Sequence, residues 1–216
     1  NPRIIAEIAK DAASRYETPI GLHLDHGRSF EDVKACVDAG FTSIMVDASA
    51  LPFEENIEES RKTVEYCHFY GIPVEVELGA LGGKEDDIEG EEGEGKTDPD
   101  MVVEFVERTG CDLLAVSIGN VHGLVMEPKI DIDLLDRIHK ICPVPLVMHG
   151  GSGIPYPVQF VCILPDFLDC DFCGTSGMLS DDSQKSDGQN GSNCLIVNSR
   201  LLWVGSFSVQ NETFMV

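Results

Sequence analysis

Five times along this chain a segment with apolar residues at helical spacing gives way to a short apolar run that ends in polar side chains, and that alternation restricts the fold more than any other feature. Ile5, Ile8, Ala9, Ala12 and Ala13 recur at helical spacing, Thr18-Pro19 breaks the pattern, and Ile20-Gly21-Leu22-His23-Leu24 reads as a strand. Ser29, with Asp32 at the capping-box position, predicts a helix over Phe30–Asp38 that stops at Gly40 before the strand Ser43–Val46. A longer amphipathic helix over Phe53–Phe69 ends at Gly71-Ile72-Pro73 and leads into Val74–Leu78. Asp98-Pro99 opens a helix over Met101–Arg108, Gly110 closes it, and Leu113–Ile118 follows; a helix over Asp131–Ile141 precedes Leu146-Val147-Met148. Parallel neighbours need a crossover of a dozen or more residues, so this spacing predicts βαβ units and an α/β fold.

Each strand ends in polar groups: His23, Asp25 and His26; Asp47 and Ser49; Glu75 and Glu77; Asn120 and His122; His149 to Ser152. Such groups are costly to bury unpaired, and their recurrence at the same end of every strand needs a common cause. A site across the carboxyl ends of a barrel supplies one. A doubly wound sheet gathers ligands only beside its switch point and does not call for polar residues after all five strands. The expected fold is therefore of the (β/α)8, TIM-barrel type.

The charge balance narrows the partners. Lys and Arg total 15 against 38 Asp and Glu, a formal charge of −23, which opposes binding to nucleic acid or to an anionic membrane. The apolar runs are far shorter than the roughly 20 residues of a membrane span and the first residues lack a signal pattern, so a cytoplasmic location is expected. Four of the eight cysteines, Cys36, Cys67, Cys111 and Cys142, lie in or beside periodic segments and read as reduced, buried thiols. Cys170-Asp171-Phe172-Cys173 has a zinc-like or redox spacing, but no second pair or nearby histidine completes it.

His26, His122 and His149 follow three different strands, so a barrel would gather three imidazoles distant in sequence. Three histidines around an open position are a catalytic zinc arrangement; any one alone is as readily a hydrogen-bonded barrel-mouth residue. Asp25, beside His26, is placed either to exchange a proton with a substrate hydroxyl or to orient a ligand histidine. Glu75 and Glu77 share a strand face and form a carboxylate cluster with Asp47, read as supports for the ligands or as alternative ligands. Leu81–Asp87 begins a glycine-flanked loop with seven acids between residues 85 and 94, suited to a lid that delivers an acid near its start. His149-Gly150-Gly151-Ser152-Gly153 offers successive backbone N–H groups, the geometry of an anion nest that suits a substrate phosphate.

These residues resemble the class II, zinc-dependent ketose-bisphosphate aldolases, the fructose- and tagatose-bisphosphate enzymes among them. The resemblance rests on Leu22-His23-Leu24-Asp25-His26-Gly27, Val74-Glu75-Val76-Glu77-Leu78-Gly79 with Gly82-Gly83, Gly119-Asn120-Val121-His122-Gly123 and His149-Gly150-Gly151-Ser152-Gly153, in order and spacing over about residues 1–155. It implies that His26, His122 and His149 bind zinc and that Asp25 handles the C4 hydroxyl proton. It implies further that Glu85 is the lid carboxylate exchanging the triose-phosphate proton, and that Asp47 and Glu77 are accessory metal carboxylates. Gly123, Gly150, Gly151 and Ser152 correspond to the phosphate and monovalent-cation region. The implied reaction is cleavage of a sugar bisphosphate to dihydroxyacetone phosphate and an aldehyde.

Two features depart from that pattern. The family's barrel has two strands before the one at residue 20 and a further phosphate-binding strand after the His149 segment, leaving five of eight strands in a chain of 216 residues against the roughly 250 typical of a barrel. Residues 156–216 hold 7 acids, 2 bases and a Ser/Asp/Gly/Asn-rich run without sustained helical spacing, and are expected to be a non-matching, poorly ordered tail. The expectation is thus a partial barrel with impaired turnover and a tendency to associate into homo-oligomers through open strand edges near Ile20 and Leu146. A catalytically inactive metal-binding fragment and a metal-dependent hydrolase are the competing readings.

Overall fold

A computed structural model of the chain describes residues 1–16, 20–80, 82–85, 88–90, 95–122, 128–151, 154, 201–202 and 213–215, with backbone alone for 82–85, 88–90, 201–202 and 213–215. Helix α1 (Pro2–Arg15) precedes strand β1 (Gly21–Gly27), and the chain continues through α2 (Phe30–Ala39), β2 (Ser43–Val46), α3 (Phe53–Phe69) and β3 (Val74–Leu78). After β4 (Gly82–Glu85) and β5 (Ile88–Gly90) come α4 (Pro99–Thr109), β6 (Leu113–Val116), β7 (Val121–His122), α5 (Ile132–Ile141) and β8 (Leu146–Val147). The five strands β1, β2, β3, β6 and β8 lie side by side in chain order and all parallel, as expected of an incomplete barrel.

Local chemistry sets the helix ends. Ser29 caps α2 by accepting the Asp32 N–H at 3.1 Å while its own hydroxyl donates to the Asp32 carboxylate, and Gly40 ends the helix in the left-handed region. Asp98 caps α4 ahead of Pro99, which needs no N–H partner at that position, and Asp131 caps α5 through the Leu134 N–H.

The two faces of the sheet differ. Leu22, Leu24, Ile44, Val46, Val74, Val76, Leu114, Val116 and Leu146 share one core with Val33, Ile57, Val64, Phe105, Leu134 and Ile138 of the helices. Burying each such aliphatic side chain stabilises the fold by about 1.5–3 kcal/mol. On the alternate positions the inner face carries a second, small apolar cluster of Met45, Ala115 and Val147, and beside it the buried polar residues His23, Ser43, Glu75 and Glu77. The polar groups are thus set on the side that the helices do not cover.

The structure adds two things to the expected plan. The acidic loop contains a hairpin, β4 paired antiparallel with β5, and β4 pairs in parallel with β7 through Gly82–Val121 and Gly83–His122. Both strand edges expected to be open also carry a short tail segment: β10 (Thr213–Met215) runs antiparallel to Gly21–His23, and β9 (Leu201–Leu202) runs parallel to β8. Unpaired N–H and C=O groups on an edge accept any extended segment in register, which is the physical reason these edges are occupied. Cys36, Cys67, Cys111 and Cys142 are buried free thiols, as expected; Cys170 and Cys173 lie outside the described residues. Among the described residues no helix is long and apolar enough to cross a membrane.

Candidate metal centre

Period-two alternation would send Asp25 and His26 to opposite faces of β1. A bulge prevents this: Leu24 pairs with Ile44 and Gly27 with Val46, so three steps on β1 face two on β2. His26 takes the extra step with φ at +45°, and among the described residues it is the one non-glycine in that region, a conformation that costs about 1–3 kcal/mol. Gly27 must then be glycine, because a Cβ there would stand 2.7 Å from the Met45 carbonyl oxygen. Asp25 and His26 consequently share the mouth, with Asp25 Oδ1 3.8 Å from His26 Nε2.

Two carboxylates hold the imidazoles from behind. Nδ1 of His26 lies 2.9 Å from Asp47 Oδ2, and Nε2 of His149 lies 2.7 Å from Glu75 Oε1. The opposite nitrogens, His26 Nε2 and His149 Nδ1, both face Asp25 Oδ1, at 3.8 and 3.7 Å. A histidine whose one nitrogen is bonded to a carboxylate has its tautomer and ring orientation fixed for ligation through the other. His122 ends β7 with its ring centroid 4.9 Å from that of His26 and 6.0 Å from that of His149. Asp25, His26 and His149 each bring a ligand atom within 4.8 Å of one another, and so do His26, Asp47 and Glu77.

The electrostatics follow from burial and neighbours. Burial works against charge on His26, but the Asp47 hydrogen bond, with Glu77 and Asp25 nearby, outweighs it and raises the imidazole to about 9. Burial likewise disfavours charge on Asp47, and the His26 and Ser49 hydrogen bonds overcome it, holding this carboxyl below the usual range. His122 falls to about 4 through burial and the repulsion of His26 and His149, so it is neutral near pH 7, the state a ligand needs. Burial, then Asp47, pushes Glu77 well above an ordinary carboxyl, and among the described residues its buried Oε2 makes no hydrogen bond. Imidazole and carboxylate donors converging beside the buried Glu77 Oε2 fit a divalent cation.

The remaining expected residues divide. Gly150 is described, with φ at +70° and a position where a Cβ would meet the Val121 carbonyl oxygen at 2.3 Å; Gly151 is buried. Gly123 and Ser152 lie outside the described residues, and Glu85 is placed by backbone alone, at the end of β4. Three supporting residues were given no role of their own by the sequence. Asn120 is buried, accepts the Ile118 N–H at 2.8 Å and donates to the His149 carbonyl at 3.0 Å, tying the His122 segment to the His149 segment. Thr97 donates to the Leu78 carbonyl and accepts the Ser117 N–H, joining β3 to β6 beyond their ends. The Met45 thioether lies 3.4 Å from the His26 nitrogen. Asn120 had a sequence signal as a polar residue in a strand-end motif; Met45, inside an apolar run, had none.

The chain is similar in sequence and fold to known proteins. The family model for class II fructose-bisphosphate aldolase matches residues 1–163, past Pro155 and into the segment read as a tail. The fructose-bisphosphate aldolase of Geobacillus stearothermophilus is 51% identical over 138 residues, which cover 63% of this chain and 48% of that protein. The YdjI aldolase of Escherichia coli superposes with a TM-score of 0.64 at 40% identity, over 74% of this chain and 56% of that one. The fructose-bisphosphate aldolase of Campylobacter jejuni does so with a TM-score of 0.56 at 25% identity, over 74% and 52%. The chain spans about half the length of the curated relatives it matches. With the strand order, the four motifs and this match over three quarters of its length, the chain belongs to the class II fructose-bisphosphate aldolase family.

Proposed function

We propose that the chain carries the metal-binding and bond-cleaving part of a cytoplasmic, zinc-dependent aldolase that splits fructose or tagatose 1,6-bisphosphate into dihydroxyacetone phosphate and an aldehyde phosphate. The observation that carries this reading is the approach of His26 Nε2 and His149 Nδ1 to one oxygen of Asp25, each ring backed by a carboxylate. His26, His122 and His149 would hold the zinc, which when bound supplies Lewis-acid polarisation of a substrate carbonyl. Asp47 and Glu75 orient His26 and His149; Glu77, with Asp47, serves as the accessory carboxylate. Asp25 takes the C4 hydroxyl proton as the C3–C4 bond breaks, and returns it in condensation.

Glu85 exchanges the proton at the triose-phosphate carbon. Support comes from the backbone, since Gly83 pairs with His122 and Glu85 lies two residues farther along the same short strand. Gly150 and Gly151, with Gly123 and Ser152, bind the substrate phosphate and a monovalent cation through backbone and hydroxyl groups. Residues 1–155 supply the five parallel strands and the site of the partial barrel, to whose edges β9 and β10 from residues 156–216 add short pairings. Because five parallel strands do not close a barrel, the chain by itself turns over slowly, unless contacts in a homo-oligomer complete the pocket.

The test joins metal content to activity. Zinc near one equivalent per chain, falling sharply in His122→Ala and His149→Ala, supports the site; zinc unchanged in both variants refutes it. Cleavage of fructose or tagatose bisphosphate, assayed beside light scattering, should be far below the 1–10³ s⁻¹ common among enzymes. A monodisperse chain turning over within that range overturns the proposed dependence on further barrel segments.

A further inference from the structure

The bulge in β1 brings Asp25 and His26 to one face, and it is held from a residue outside the proposed ligand set. In the pairing of β1 with β2, Leu24 faces Ile44 and Gly27 faces Val46, which places Met45 opposite the extra residue. Met45 is fully buried on the inner face with Ala115 and Val147. It meets the bulge twice. Its sulfur lies 3.4 Å from the backbone nitrogen of His26, and its carbonyl oxygen closes on Gly27 so tightly that a Cβ would stand 2.7 Å away. Near His26 Nδ1, Asp47 fixes the ring; at the backbone, Met45 fixes the positive φ that swings this ring to the same side as Asp25. An unbranched thioether is suited to this: it is long enough to reach the amide, accepts weakly, and leaves the surrounding apolar cluster intact.

We propose that Met45 is a positioning residue for the metal centre, its Sδ accepting the His26 N–H and thereby keeping Asp25 and His26 on one face of a strand that would otherwise separate them. The proposal rests on the reading of His26 as a metal ligand only for its effect on affinity; its effect on the backbone stands apart from any metal.

The informative variant is Met45→Leu, which keeps volume and apolarity and removes the acceptor. Two measurements on the full chain are needed. The first is hydrogen exchange of the His26 amide without added metal, which should accelerate at least about tenfold in Met45→Leu while amides of α3 and β3 keep their rates. The second is Zn²⁺ or Co²⁺ affinity by chelator competition, which should fall about 10–100-fold, the range for residues that orient a ligand. His26 exchange unchanged by the substitution overturns the proposal, as does metal affinity within about twofold of the unsubstituted chain. If Met45→Leu does not fold, the unsubstituted chain decides: a His26 amide exchanging as fast as an open loop overturns the proposal, and a protected one supports it. An unsubstituted chain that binds neither ion defeats the metal reading alone, and the exchange arm still tests Met45.

Discussion

Glu75 Oε1 stands 2.7 Å from His149 Nε2, both side chains buried, so a carboxylate of β3 fixes the ring of a histidine 74 positions later in the chain. His23 approaches the second oxygen of the same carboxylate at 3.8 Å, and its own Nδ1 lies 2.9 Å from Ser43 Oγ. Ser43, His23, Glu75 and His149 therefore form one line across three adjacent strands and β8, leading from the interior to the mouth. Burial lowers the pKa of His23, so this line holds a neutral imidazole next to Glu75.

From this line we expect Glu75→Leu to weaken zinc binding about 10–100-fold, the range for a group that orients a ligand histidine. Glu75→Gln, which keeps an oxygen in place, should lose less. Chelator competition measures both, and equal affinities for the two variants and the unsubstituted chain would remove Glu75 from the metal centre.

Asp25 should separate metal binding from chemistry. In a chain extended by the barrel segments that its relatives have, Asp25→Asn is expected to keep its zinc and to lose about 10²–10⁴-fold in cleavage rate, the usual contribution of a general acid or base. Zinc loss in parallel with activity would make Asp25 a ligand support instead.

Much of this was legible in the sequence because the fold writes itself locally. The five strand segments, the helix starts at Ser29 and Asp98 and the stops at Gly40 and Gly110 each depend on neighbours within a few residues. Strands Ser43–Val46 and Val74–Leu78 and helix Phe53–Phe69 have the bounds that spacing gives. Less legible were contacts set by register between distant segments. No pattern within residues 22–27 announces that His26 adopts a positive φ, since the bulge is defined only against β2. The choice of Glu75, rather than Glu77, as partner of His149 likewise depends on where β8 lies across the inner face. The glycine-rich acidic stretch read as a loop forms a hairpin because β7 offers it an edge.

The buried thiols give a pH-dependent expectation. Burial pushes Cys67 up to about 11 and Cys111 up to about 12, and raises Cys142 as well. An unfolded thiol titrates near 8.5, so the folded state holds these protons longer than the unfolded state does. For Cys67 and Cys111 the contribution to stability is fully present below about pH 8.5 and is lost as the pH rises toward 11–12. The native chain should accordingly resist iodoacetamide at these cysteines at pH 8 and react fully in denaturant, with mass spectrometry reading each site. Rapid native alkylation of Cys67 or Cys111 at pH 8 would contradict their burial.

Asn120 should behave as the joint between two ligand segments. It accepts the Ile118 N–H, donates to the Val116 carbonyl at 3.4 Å and to the His149 carbonyl at 3.0 Å, and it is 1% exposed. Asn120→Ala leaves one N–H and two carbonyls without this partner, which costs about 1–3 kcal/mol for each group left unsatisfied. The loss should exceed that of a simple cavity, because a side chain of similar size without the polar atoms, as in Asn120→Leu, restores volume but not the bonds. Thermal unfolding is therefore expected to show both variants destabilised. Metal affinity should fall in both, since His122 and His149 are then no longer held in register by one side chain. Asn120→Leu with native stability and native metal affinity would show that backbone packing at Gly150 against Val121 is enough to join the two segments.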